Sequence, residues 1–214
     1  MKLLFIPAKS KTEIDFNDVK LEGKIGVVTT IQYLDSVKKS CKKNFIFAGQ
    51  ILGCNFSNAT KIKKNVDKFL YVGTGKFHSL ALALNTRKDV YILNPITKKF
   101  FKLDKEDISK YTKKRKGLLL RFLNAKKIGI LVTLKSGQYH PGKYLDLKNK
   151  LKQAEKIKKL FPEKKFYIFT FNTLSKEELD NFNDIQCWVN LACPRIIDDS
   201  DKIINVEEIL RSVK

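Results

Sequence analysis

Four cysteines and two histidines are the whole supply of soft and imidazole ligands in 214 residues, and no two of the cysteines have CxxC spacing. That scarcity argues against a disulfide framework. With no secretory leader read at the start of the chain, it points to a reducing compartment, so a soluble cytoplasmic protein is expected. Long hydrophobic runs are missing as well. The apolar stretch at 3–6 is ended by Pro7 and is too short for a signal-peptide core or a membrane span. The sequences Asn55-Phe56-Ser57 and Asn58-Ala59-Thr60 therefore carry no glycosylation meaning. No Ser-His-Asp or Cys-His nucleophile arrangement stands out, and neither a complete GxGxxG nor a P-loop is present.

Acidic residues are few, 22 Asp+Glu against 43 Lys+Arg, for a formal net charge of +21. Such a charge attracts polyanions, ribosomal RNA among them. The lysines, however, are scattered along helix faces and turns, as in Lys61, Lys63, Lys64, Lys148, Lys150, Lys152, Lys156, Lys158 and Lys159. No compact arginine-rich tract interleaved with aromatics appears, so a solvated lysine-rich surface is expected and no specific nucleic-acid site.

What is present is a core. A hydrophobic content of 43% lets the chain bury a sizeable interior, as one domain or two small ones. Short β-prone runs at 24–30, 44–49, 69–73, 90–93, 128–134, 166–171 and 187–191 alternate with helical patterns. The runs are continuous, not alternating, which is the mark of strands covered on both faces in a parallel sheet. Leu147, Leu151, Ala154, Ile157 and Leu160 keep helical spacing, and Ser175-Lys176-Glu177-Glu178 reads as a capping box opening another helix. The fold class is α/β with small parallel sheets flanked by helices.

An internal echo divides the chain. Lys24-Ile25-Gly26-Val27-Val28-Thr29-Thr30 returns 103 positions on as Lys127-Ile128-Gly129-Ile130-Leu131-Val132-Thr133. Either two similar α/β units or a chance likeness of two buried strands accounts for it. The segment 104–124 reads as a connecting helix. Two domains are expected, 1–110 and 111–214.

Cys54, in Gly49-Gln50-Ile51-Leu52-Gly53-Cys54, and Cys193, in Leu191-Ala192-Cys193-Pro194-Arg195, each follow a short apolar run, one in each expected domain. A thiolate at the end of a buried strand sits where an α/β sheet opens its ligand crevice, and two of them can converge on one soft metal cluster. Two are too few for an iron–sulfur cluster, and a zinc site with a histidine fits the spacing poorly. Cys41 reads as a surface thiol at a helix end and Cys187 as core filler. Gly73-Thr74-Gly75-Lys76-Phe77-His78 lies between a strand and a helix, either as a tight turn or as a loop that receives a carboxylate or phosphate. His78 either touches a ligand there or caps and packs. In Ser136-Gly137-Gln138-Tyr139-His140-Pro141-Gly142, Gln138 offers a paired donor and acceptor, while His140 reads as plain loop. Asp198-Asp199-Ser200-Asp201 is a solvated turn or, less simply, a divalent-ion site.

In order along nearly the whole chain, Val28-Thr29-Thr30-Ile31-Gln32, the Gly49 to Cys54 motif, the glycine turn, Lys135-Ser136-Gly137-Gln138 and Ala192-Cys193-Pro194-Arg195 resemble archaeal 2-(3-amino-3-carboxypropyl)histidine synthase. That family carries out the first step of diphthamide biosynthesis. The resemblance implies three similar α/β domains, each giving one cysteine to a [4Fe-4S] cluster whose fourth site holds S-adenosylmethionine. It implies a transferase in which a 3-amino-3-carboxypropyl radical adds to a histidine of translation elongation factor 2, in a dimeric assembly. Cys54 and Cys193 then match the second and third cluster ligands, and the two domains here match the family's second and third. Thr29, Gln32, Gln50, Gly73, Gly75, His78, Gln138 and Arg195 are candidates for the S-adenosylmethionine pocket, with Arg195 placed to pair bidentately with a carboxylate. The family's first domain and first cysteine have no counterpart in these residues. The expectation is a split enzyme completed by a separate chain that brings the missing domain and third cysteine; the alternative is a scaffold that binds the elongation factor or RNA.

Overall fold

The computed structural model describes residues 6–53, 55–135, 147–197 and 200–213. The chain divides into two compact units, Met1–Ser109 and Lys110–Lys214.

In the first unit β1 (Ile25–Thr29), β2 (Phe45–Gln50), β3 (Lys68–Val72) and β4 (Asp89–Leu93) are parallel, and β5 (Phe100–Lys102) adds antiparallel at one edge. The order is β2-β1-β3-β4-β5. Helices α1 (Leu34–Ser40), α2 (Ser57–Ile62) and α3 (Phe77–Thr86) follow the first three strands. Ile25 and Val27 pack with Tyr33 and Val37 of the α1 side, while Val28 packs with Ile51, Ala59, Ala81 and Leu82 of the α2 and α3 side. Both faces of β1 are thus covered, which is why its sequence is apolar without alternation.

Helix α4 (Lys105–Asn124) leads into the second unit, whose strands β6 (Lys127–Thr133), β7 (Lys165–Phe171), β8 (Cys187–Asn190) and β9 (Ile203–Asn205) are all parallel in the order β7-β6-β8-β9. Helices α5 (Leu147–Leu160), α6 (Lys176–Asp180) and α7 (Val206–Ser212) complete it. Ile128, Ile130 and Val132 pack with Phe122, Ala154, Ile157 and Ile209 on one face; Leu131 and Trp188 meet Phe169 and Leu179 on the other. The capping box is half formed: the Ser175 hydroxyl accepts the Glu178 backbone N–H, and the same hydroxyl bonds the Glu177 carboxylate at 2.6 Å.

The two units use one plan. Each sheet has its second strand outermost, then the first, third and fourth, and the echoed segments are the first strands, β1 and β6. The likeness extends to packing. Gly26 pairs with Phe69 across β1 and β3, Gly129 pairs with Trp188 across β6 and β8, and in each case the ring occupies the space a Cβ would take. A buried glycine under an aromatic ring at the same register of two sheets makes the repeat structural and sets chance likeness aside.

All seven expected strands are present within a residue or two of their sequence bounds, the usual spread of such boundaries. β5 and β9, at three residues each, carry too little pattern to be seen in sequence. The helical spacing at 147–160 is matched by α5, but the face it buries is offset from the leucines. Leu147 and Leu160 are exposed and Leu151 only half-buried, whereas Lys150, Ala154 and Ile157 form the buried stripe.

Candidate functional crevices at the strand ends

In an open parallel sheet ordered second-first-third, connections leave to opposite faces between the first and third strands, and ligands bind outside the carboxyl ends there. Those of the sequence-predicted residues that are described lie at or just beyond strand ends.

In the first unit, Thr29 ends β1 and is fully buried. Its hydroxyl donates to the Val72 carbonyl at 2.7 Å and its carbonyl accepts the Ile51 N–H, so it ties β1 to its neighbours and turns no polar atom outward. Gln32 is exposed on the short 3-10 turn after β1, with its side-chain carbonyl 3.4 Å from the Thr30 hydroxyl. Gln50 ends β2, half-buried, and its carbonyl receives the Asn58 side-chain amide at 2.9 Å. The next residues form a pinched turn in which Leu52 and Asn55 exchange both backbone hydrogen bonds, at 3.0 and 3.1 Å, across the Gly53-Cys54 pair. Cys54 itself lies outside the described residues.

The glycine turn stands beside that loop. Gly73 has the Tyr71 hydroxyl where a Cβ would be, and Gly75 adopts φ +71°, the left-handed region that suits glycine, with open space on its Cβ side. His78, in the first turn of α3, is half-buried. It stacks on Tyr71 with ring centroids 5.8 Å apart, its Nδ1 lies 3.4 Å from the Tyr71 hydroxyl, and Phe77 meets it edge-on. The Phe77 ring fills the space over Gly53. The glycine turn and the Cys54 loop, separate motifs in sequence, are therefore held against each other by one aromatic side chain.

In the second unit, Cys193 lies half-buried just past β8. Its turn is fastened by Asn190, the last residue of β8, which is fully buried. The Asn190 amide donates to the Cys193 carbonyl at 3.2 Å and to the Asn205 side-chain carbonyl at 2.8 Å, and its own carbonyl accepts the Ala192 N–H at 2.9 Å. Asn205 in turn bonds Glu208, whose carboxylate pairs with Arg115 Nε at 3.0 Å. Burial raises the Glu208 carboxyl above its ordinary range, with Arg115 and Asn205 working against that rise. Arg195 is exposed on the 3-10 turn Pro194–Ile197. Gln138, His140, Asp198 and Asp199 fall outside the described residues.

The remaining cysteines are placed for packing. Cys187 is fully buried in β8, and burial pushes its thiol up to about 12, as suits a residue of the core. Cys41, at the end of α1, packs on the first unit's core and is likewise raised by burial. Among the described cysteines, Cys193 is the one that stands half-buried just past a strand end.

Sequence reasoning missed Asn190, Phe77 and Lys150. Asn190 was visible as the one amide in an otherwise apolar strand. Lys150, counted among the surface lysines, is fully buried; its Nζ donates to the Thr133 carbonyl at the end of β6 at 3.3 Å, and burial lowers its amine to about 8. Its spacing of four and seven residues to Ala154 and Ile157 was the available signal.

Parallel-rich sheets with the second strand outermost and helices between the strands define an α/β protein of the doubly wound class. Residues 2–203 match the family described as "Putative diphthamide synthesis protein", and the chain belongs to that family. It is 33% identical to the 2-(3-amino-3-carboxypropyl)histidine synthase of Methanocaldococcus jannaschii, over 93% of this chain and 57% of that protein. It is 30% identical to the Pyrococcus horikoshii enzyme of the same name, over 92% of this chain and 60% of that one. The crystal structure of Dph2 from Pyrococcus horikoshii with a 4Fe-4S cluster matches at a TM-score of 0.72 and 29% identity, covering 89% of this chain and 58% of that one. The chain thus spans less than two thirds of the length of these relatives.

Proposed function

We propose that this chain carries two of the three cysteines of a [4Fe-4S] enzyme that uses S-adenosylmethionine to transfer a 3-amino-3-carboxypropyl group to a histidine of translation elongation factor 2, in the cytoplasm. The two compact units are read as two domains, each bringing one ligand: Cys54 from the first and Cys193 from the second. The third cysteine is assigned to the part of the family's length that these 214 residues do not span, and the working assembly is read as dimeric. The observation that carries this reading is Cys193, a half-buried thiol on a fastened turn at the end of β8, in a chain similar to one that binds a 4Fe-4S cluster.

When bound, the cluster supplies the electron that cleaves the bond between sulfur and the aminocarboxypropyl chain of S-adenosylmethionine. The residues of this chain bind and orient. Gly75, with open space beside it, lets a ligand approach the backbone at the turn before α3. His78, held by ring contacts with Tyr71 and Phe77, is assigned to the same turn. Gln32, Gln50 and Gly73 in the first unit and Gln138 and Arg195 in the second are assigned to S-adenosylmethionine binding, Arg195 pairing with the carboxylate of the methionine moiety. Thr29 contributes by fixing the strand ends, its hydroxyl being engaged with Val72.

The test is anaerobic incubation of the reconstituted assembly with S-adenosylmethionine, a reductant and the elongation factor. Release of methylthioadenosine and a histidine peptide heavier by the aminocarboxypropyl group are expected. Neither product, from a preparation that does hold a cluster, would leave a scaffold that binds the factor without modifying it.

A further inference from the structure

We propose that Asn190 is a positioning residue that fixes the backbone of Cys193 and so aims its thiol. The inference rests on the reading of Cys193 as a metal ligand but makes a separate claim about this chain. All of Asn190's hydrogen-bonding capacity is directed at one task. Two amide donors go to the Cys193 carbonyl and the Asn205 side chain, and the carbonyl takes the Ala192 N–H. These bonds close the turn on both sides of residue 193 and anchor it to β9, the next strand. Through Asn205 the anchor continues to Glu208 of α7 and Arg115 of α4.

The register of the repeat adds an independent argument. Asn190 lies opposite Leu131 on β6 as Tyr71 lies opposite Val28 on β1, so the two occupy the same place in their units. Tyr71 also shapes the loop that follows it: its hydroxyl sits under Gly73 and its ring under His78. The same position, two residues short of the crevice loop, does the same kind of work by different chemistry in each unit. A buried amide is costly unless fully bonded, and an aliphatic residue would fill this core position without that demand. The amide is explained by the turn it holds.

The test compares Asn190→Leu, which keeps the branching of the side chain but makes no hydrogen bonds, and Asn205→Ala, which removes the anchor, with the unaltered chain. The readout is the rate of iodoacetamide modification of each cysteine in the metal-free chain, resolved by peptide mass spectrometry. Folding is checked by circular dichroism. Cys54, in the other unit, is the internal control. Cys193 is expected to react at least about tenfold faster in Asn190→Leu, the factor that the loss of even one of its three hydrogen bonds makes in a local opening equilibrium, with Cys54 unchanged. A smaller increase in Asn205→Ala is expected, and it decides the matter if Asn190→Leu does not fold. Equal rates at Cys193 in all folded variants would overturn the proposal. Iron content after reconstitution separates the two readings. A changed Cys193 rate in a chain that never takes up iron keeps the positioning role and removes the cluster; iron uptake with an unchanged rate does the reverse.

Discussion

Lys150 shows how far one residue can depart from its composition. Removing an ammonium from water is expensive, and here the expense appears as an amine pushed down to about 8 from an ordinary 10.5. The unfolded chain binds the proton up to the higher value and the folded chain releases it near the lower one. Folded stability attributable to this group is therefore depressed below pH 8 and recovers as pH rises toward 10.5. Relative to Lys150→Met, the unaltered chain should gain up to about 3 kcal/mol across that interval. Urea unfolding of both proteins between pH 7 and pH 10 measures the difference; parallel curves would show that burial does not govern this amine. The same residue marks what the sequence hid. A lysine-rich helix reads as solvated, and only the stripe of Lys150, Ala154 and Ile157 betrays that one lysine faces inward.

At the scale of elements, the Cys54 loop and the start of α3 act as one piece because Phe77 lies over Gly53. A methyl group at residue 53 would occupy the ring's place. Gly53→Ala should therefore cost about 1–3 kcal/mol, the range for overfilling a packed site, and Phe77→Leu in the same chain should recover part of it. Denaturant unfolding of the two single variants and the double variant measures the coupling; strict additivity would mean that the contact carries no energy. The strands themselves were legible in sequence. Continuous Val, Ile, Leu and Phe runs can form only where both faces are covered, and the repeated Lys-Ile-Gly start marked the first strand of each unit. What could not be read was the side-chain bookkeeping at strand ends. Thr29 looked like a ligand contact because it ends a strand, yet its hydroxyl is consumed by Val72. Asn190 went unremarked within the run at 187–191 and holds a turn. Such assignments depend on which neighbour lies across the sheet, and sequence spacing does not contain that.

At the scale of the whole molecule, the positive charge is shared. Residues 1–109 carry 20 Lys+Arg against 10 Asp+Glu, and residues 110–214 carry 23 against 12. Each unit therefore carries a similar net positive charge and attracts polyanions to a similar degree. The cysteines are distributed differently. Cys41 and Cys187 lie in or against the cores of their units, while Cys193 stands half-buried just past β8. That division makes a shared metal centre the central claim. The most direct test is anaerobic reconstitution with iron and sulfide of the chain together with a polypeptide carrying the remaining family length, followed by electron paramagnetic resonance after reduction. The same measurement is made on Cys54→Ser, Cys193→Ser and Cys187→Ser. The account predicts a reduced [4Fe-4S] signal that is lost in Cys54→Ser and in Cys193→Ser and kept in Cys187→Ser. A signal that survives both of the first two substitutions, or that never forms in the unaltered protein, would contradict it.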